Sequence, residues 1–165
     1  MKIEQTLQTK THIYFWGSIF SNFHPIDFIY QNNKFANSEQ AFMWRKAIFF
    51  KDFEIALKIL ETTNPQEAKS LGRKVKYYNN DRWSKVREQI MYEVNIDKYK
   101  DEKLQGILLS TNNLIIVESS PVDKIWGVGL SKEDPRILDE NNWKGLNLLG
   151  KVLMRVREYY ENRIN

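Results

Sequence analysis

The sequence predicts an α+β fold: a mostly helical single domain with five or six helices around a small, mainly antiparallel sheet. Three observations carry this. Residues 12–16 and 114–117 are short β-branched and aromatic runs, long enough for strands and too short for stable helices. Elsewhere apolar residues recur at helical spacing, as in Leu149, Val152, Leu153, Val156 and Tyr160. The stretches between carry cap and turn residues, with no repeat, low-complexity tract or Gly/Ser linker. At 165 residues one domain can bury a core without staples.

In chain order, residues 1–12 are polar and read as a loose arm, with the domain spanning 13–165. A strand follows at 12–16. Ser21-Asn22-Phe23-His24-Pro25 is a turn, because Pro25 fixes its own φ and biases His24 away from helix. Strands at 27–30 and 34–36 would flank a hairpin turn at Asn32-Asn33. Helices are expected at 38–50, capped by Asn37 or Ser38, and at 52–60, capped by Asp52. A third starts at Asn64-Pro65-Gln66-Glu67, where Glu67 could close a capping box, and ends near Gly72. Asn80 would cap a long fourth helix to about residue 99, with Trp83, Val86, Ile90 and Val94 on one face. Asp101 would cap a shorter one through Leu109. After a buried strand at 113–118, residues 119–143 read as loop, and a final helix runs over about 146–160.

Charge is unevenly spread. Residues 69–87 hold seven basic residues against one acid, a net +6 that exceeds the +4 of the whole chain, whereas residues 88–142 carry −5. Such a local excess suits a phosphate-bearing ligand or a nucleic-acid backbone; its plainer reading is a solvated helix face. Cysteine is absent, which excludes disulfides, thiol nucleophiles and cysteine-bound metals. No 18-residue apolar run occurs and the first residues lack the apolar core of a signal peptide, so a soluble, cytoplasmic protein without a membrane partner is expected.

The histidines, His12 and His24, have no partners at metal-ligand spacing and read as structural; no metal and no cofactor is expected. Gly127-Val128-Gly129 lacks the remainder of a phosphate-binding loop, and no nucleophile elbow is present. Carboxylates, amines and tryptophans remain. Glu39, Phe42, Met43 and Lys46 fall on one face of the helix over 38–50, placing a carboxylate and an amine two turns apart. They read either as charges at the edges of an amphipathic helix or as a reactive pair. Asp123 and Glu118 are further carboxylate candidates. A carboxylate near an apolar ring suits glycosidic cleavage, and a lysine amine could instead attack a ribose C1′ through a Schiff base. Trp83 and Trp126 could stack on a base, or anchor a core. Gly145-x-Asn147-x-x-Gly150 opens the last helix, whose N–H groups could face phosphate.

These residues together resemble the NADAR family, the YbiA-like superfamily, over about residues 13–160. The resemblance rests on Ser21-Asn22-Phe23, Ser38-Glu39 followed by Lys46, Gly72-Arg73, Arg82-Trp83, Leu108-Leu109-Ser110-Thr111, Asp123 with Trp126-Gly127, and Gly145-x-Asn147-x-x-Gly150 leading into Leu153-Met154-x-Val156-Arg157. It implies an N-glycosidase cleaving between ribose C1′ and nitrogen. One substrate class is ADP-ribosylated guanine in nucleic acid, and another is the phosphoribosyl-aminopyrimidines of the riboflavin pathway. The resemblance implies Glu39, Lys46 and Asp123 as catalytic residues, and Asn22, Phe23, Arg73, Trp83, Trp126 and Gly127 as substrate-binding ones, with phosphate expected against Arg73. Two positions depart from the family: Gln40 stands where His is frequent, and Val128 where Trp-Gly-Asp-Gly would have Asp. The rival of another class is a non-catalytic module that binds ADP-ribose or a nucleotide.

Overall fold

In the computed structural model, which describes residues 3–164, the chain divides into two units: residues up to Ser21 together with those from Asp101 onward, and Asn22–Lys100. Along the chain run β1 (Thr6–Gln8), β2 (His12–Phe15), β3 (Phe28–Tyr30), β4 (Asn33–Phe35), α1 (Ser38–Phe49), α2 (Phe53–Glu61), α3 (Pro65–Arg73) and α4 (Asn80–Ser84). They continue as α5 (Arg87–Lys98), α6 (Glu102–Leu109), β5 (Ile115–Glu118), two 3-10 turns (Pro135–Leu138 and Glu140–Asn142) and α7 (Leu148–Ile164). The class is α+β, with seven α-helices among the described residues.

In the first unit the sheet order is β1-β2-β5. β1 runs antiparallel to β2, with Leu7 opposite Tyr14, so the segment expected as a loose arm contains an edge strand; Met1 and Lys2 lie outside the described residues. Its polar sequence hides this because the pairing is made by backbone groups. β2 and β5 pair in parallel, His12 opposite Ile115, while β1–β2 and β3–β4 are antiparallel, so the pairing is mainly antiparallel as expected. Parallel neighbours need a long connection, and here about a hundred residues, including the whole second unit, separate them. Tyr14, Val117, Val128, Leu130 and Ile137 form a buried cluster against which Ile115 and Trp143 pack. Leu149, Val152, Leu153 and Val156 of α7 are fully buried, as their spacing predicts.

In the second unit β3 and β4 form a separate two-stranded sheet. Tyr30 pairs with Asn33, so the turn is Gln31-Asn32, one residue earlier than expected. Both turn residues have positive φ (46° and 62°), the geometry that matches hairpin twist. The caps follow the sequence closely. Asn37, Asp52, Asn64 and Asp101 each accept backbone N–H groups of the first turn of α1, α2, α3 and α6. Glu67 does not close a box on Asn64: it accepts from Thr62 Oγ1, which in turn accepts from the Asn64 N–H at 3.1 Å. The long fourth helix is two helices. Asn79, not Asn80, caps α4, and the chain breaks at Lys85 and Val86 before α5 begins. The break lets Trp83 turn onto the aromatics of α1, while Ile90, Met91 and Val94 are buried along α5.

Candidate functional site

The site is built on α1. Asn37 starts the helix by accepting the Gln40 N–H at 2.9 Å and fixes its entry by donating from Nδ2 to the Thr63 carbonyl at 2.9 Å. The next free N–H, that of Glu39, donates to the Asn22 carbonyl at 3.0 Å, docking the 21–25 turn against the helix start. Glu39 is only 6% exposed, and Phe42 and Met43 are buried beside it. The face predicted from spacing therefore points inward, and Glu39 is no surface charge.

Two turns on, Lys46 Nζ donates to the Gly72 carbonyl at 2.9 Å and lies 4.3 Å above the centre of the Tyr78 ring and 6.0 Å from that of Trp83. Burial pushes its pKa below the ordinary lysine value; the Glu39 charge opposes that shift and the Arg73 charge adds to it. Both charges thus act on one amine. The carbonyl reaches the amine because α3 lies close on α1: a Cβ on Gly72 would sit 2.0 Å from Met43 Sδ. Glycine is needed there for approach, and its carbonyl is what the approach delivers.

Trp83 is 5% exposed and packs on Phe42, Phe49 and Phe50, with centroids 5.2, 5.9 and 6.2 Å away. It forms an aromatic wall beneath Lys46. Arg73 ends α3 and is exposed, and Lys69 Nζ lies 5.6 Å over the Phe23 ring. Two buried oxygens beside Glu39, Asn22 Oδ1 and Ser38 Oγ, find no hydrogen-bond partner among the described residues. Unsatisfied buried acceptors of this kind are costly and uncommon. Gln40, by contrast, is structural: its Oε1 accepts from the Ala36 N–H and its Nε2 donates to the Ile59 carbonyl, both at 2.9 Å.

Tyr78 and Ser38 were not among the residues predicted from sequence. Tyr78 carried a weak signal, an aromatic in the +6 stretch, but nothing in the sequence links it to Lys46. Ser38 looked like an alternative cap.

The remaining predicted residues lie on the other unit. Asp123 Oδ1 accepts from the N–H groups of Ile125 and Trp126, both at 2.8 Å, and the Asp123 N–H donates to Ser120 Oγ at 3.1 Å. Asp123 therefore shapes the tight loop that presents the half-buried Trp126. Gly127 sits where a Cβ would come within 2.9 Å of the Glu118 carbonyl. Asn147 explains the motif that follows. Its Oδ1 accepts from the Glu118 N–H at 3.0 Å, and its Nδ2 donates to the Ile116 carbonyl at 2.9 Å, pinning the start of α7 to β5. The N–H groups of residues 146–149 donate to the carbonyls of residues 124–127. They are spent on the loop, which removes the phosphate role considered for this helix start. Val128 is fully buried in the apolar cluster, where the family's Asp would need a partner.

His12 bridges Thr11 Oγ1 and Glu140 Oε1 and stacks on Tyr14, a structural setting. Among the described residues no group of three or more His, Cys, Asp or Glu could hold a metal ion, and no helix is long and apolar enough to cross a membrane.

Comparison with known proteins places this geometry among relatives. A family profile described as the NADAR domain matches residues 14–160. The chain is 39% identical to Protein irg-1 of Caenorhabditis elegans, over 92% of this chain and 80% of that one. It is 38% identical to N-glycosidase R617 of Acanthamoeba polyphaga mimivirus, over 92% and 98%. The NMR structure of the E. coli protein YbiA superposes with a TM-score of 0.77 at 26% identity, covering 97% of this chain and 90% of YbiA.

Proposed function

Because the chain belongs to the NADAR domain family, we propose that it removes ADP-ribose from ADP-ribosylated guanine in nucleic acid by hydrolysing the bond between ribose C1′ and the base nitrogen. The enzyme class is that of relatives such as R617, named an N-glycosidase: a hydrolase of N-glycosyl compounds. The observation that carries the chemistry is Lys46, a half-buried amine held by a carbonyl and an aromatic face, with its pKa lowered, beside a buried carboxylate.

Lowering the pKa raises the fraction of uncharged amine, the form that can act as a nucleophile. In this reading Nζ attacks C1′ and the C1′–N bond breaks, its electron pair leaving with guanine. Glu39 passes the proton lost by Nζ to the departing nitrogen. The ribosyl-lysine opens to an imine, and water hydrolyses it, returning the amine and releasing ADP-ribose. Arg73 supplies charge for phosphate, and Asn22 and Phe23 keep the substrate-binding role that the family resemblance gives them. Trp126 and Gly127, on the loop that Asp123 shapes, are further substrate-binding residues by family resemblance.

The test is product analysis by mass spectrometry after incubation with guanine-ADP-ribosylated DNA and, separately, with the aminopyrimidine phosphoriboside. ADP-ribose released from the DNA with unmodified guanine restored is the expected result. Turnover of the aminopyrimidine alone would move the substrate to the riboflavin intermediates. Binding without turnover of either, unaltered by Glu39→Gln, would leave a binding module. Borohydride added during turnover should trap a ribosyl adduct on Lys46; turnover without an adduct would transfer the step to water activated by Glu39.

A further inference from the structure

Tyr77 is 80% exposed and its backbone is left-handed, with φ of 59°. That conformation disfavours a large L side chain, and so exposed a ring gains little from burial. Neither local preference nor packing accounts for a tyrosine here, and strain of this kind concentrates where a side chain serves a ligand. The neighbours hold it in place. The Lys76 N–H donates to Asp52 Oδ2 at 2.8 Å, Val75 is buried, and Tyr78 packs its ring on Lys46 and edge-on against Phe50. Tyr77 is thus fixed one residue from the ring that covers the reactive amine.

Its surroundings are cationic. Lys74 and Lys76 are exposed on its N-terminal side, and the Arg82 guanidinium is stacked over Phe49 and Phe50 at 5.4 and 5.6 Å. Two exposed acids accompany these cations: Glu54, shared between Lys58 and Lys76, and Asp81, next to Arg82 in the chain, so Lys74 and Arg82 remain in excess. A projecting aromatic ring flanked by cations fits a nucleic-acid strand: a base stacks on the ring while the phosphates on either side meet the charges. A folded protein partner would ask for a contiguous apolar patch, and a lipid surface for several exposed apolar side chains beside the charges.

We propose that Tyr77, with Lys74 and Lys76, is a docking platform outside the catalytic site that stacks an unpaired base next to the modified nucleotide. The substrate would then be a single strand rather than a free nucleoside. This rests on the nucleic-acid reading above and goes beyond it by assigning the strand's path.

The experiment compares wild type with Tyr77→Gly, Tyr77→Phe and Lys74→Gln. Gly suits the left-handed backbone, so folding should be retained or improved, and thermal melts check this. On a guanine-ADP-ribosylated single-stranded oligonucleotide, Tyr77→Gly should raise KM on the order of tenfold with kcat unchanged, and Tyr77→Phe should retain wild-type KM. On ADP-ribosylated guanosine the variants should match wild type. Lys74→Gln should lower the slope of log K against log salt for an unmodified oligonucleotide by about 0.7. Equal effects of Tyr77→Gly on both substrates, or none on either, would overturn the platform. Should the wild type release ADP-ribose from neither substrate, the proposed function fails, and binding of the unmodified oligonucleotide still decides the platform: Tyr77→Gly binding as tightly as wild type refutes it. Loss of binding to anionic vesicles but not to oligonucleotide would refute it in favour of a membrane surface.

Discussion

The two units differ in where they place buried charge. In the unit containing β5 and α7 polar groups are knitted into backbone. Asn147 joins Glu118 to Ile116, Asp123 closes its own loop, and Arg157 Nη1 donates to Thr111 Oγ1 and the Leu114 carbonyl. In Asn22–Lys100, Glu39 and Lys98 are buried, Lys46 is partly buried against aromatic rings, and the buried Asn22 Oδ1, Ser38 Oγ and Asn95 Oδ1 find no hydrogen-bond partner among the described residues. Satisfied polar networks rigidify a fold, whereas charges held at a desolvation cost are characteristic of chemistry. The contrast lies in the placing of charge: in Asn22–Lys100 an amine is desolvated against aromatic rings, whereas the side chains named in the other unit serve the backbone.

The largest effect that could break the contrast is on turnover. Glu39→Gln and Lys46→Met should each lower kcat on the order of 10²–10⁴-fold while substrate binding and Tm are largely kept. In the wild type the rate should rise with pH through an inflection below 10.5, since the active amine is uncharged and burial lowers its pKa. A flat profile across that range would remove Lys46 as the nucleophile.

Next comes Asn147→Ala, expected to cost stability rather than chemistry. It strips partners from the Glu118 N–H and the Ile116 carbonyl, a loss of about 1–3 kcal/mol, read as a lower denaturation midpoint with kcat per folded molecule retained. Gly72→Ala should affect both properties. The added methyl meets Met43 and costs about 1–3 kcal/mol, and the displaced carbonyl releases Lys46, so kcat falls as well. Trimming Met43→Ala in the same chain should recover stability; recovery of neither property would show that the close approach is not what matters.

A pH-dependent effect probes the same unit away from Lys46. Burial lowers the Lys98 pKa from 10.5 to about 7. Between those values the unfolded chain binds the extra proton, so stability rises with pH across that window and this contribution is least favourable below 7. The slope can reach about 1.4 kcal/mol per pH unit, and Lys98→Met should flatten it in Tm-against-pH curves. Smallest of all, Asp123→Asn keeps the oxygen that accepts from Ile125 and Trp126. It should leave Tm nearly unchanged and lower kcat far less than Glu39→Gln; an equal fall would give Asp123 a chemical role and blur the distinction between the units.

Much of the fold was legible along the chain because its signals are local. Caps at Asn37, Asp52, Asn64 and Asp101 and the stripe of α7 depend on residues within a turn or two. What was not legible along the chain depends on distant partners. β1 is a strand only because β2 offers an edge, the parallel β2–β5 pair is joined across about a hundred residues, and the fourth helix breaks so that Trp83 can reach α1. At the site, the helical period put Glu39 and Lys46 on one face, yet spacing could not say which way that face pointed.

The sequence by itself determined the α+β class, the position of α1, the heptad separation of Glu39 and Lys46, and the family. Each is a property of nearby residues or of a pattern along the chain. Only the tertiary structure decided that Glu39 is buried, that the Gly72 carbonyl and the Tyr78 ring hold Lys46, and that the start of α7 spends its N–H groups on the 124–127 loop. The physical reason is that desolvation and hydrogen-bond satisfaction belong to the surroundings of a group. Those surroundings come from residues 26 to 32 positions away for Lys46, and from a different element for α7.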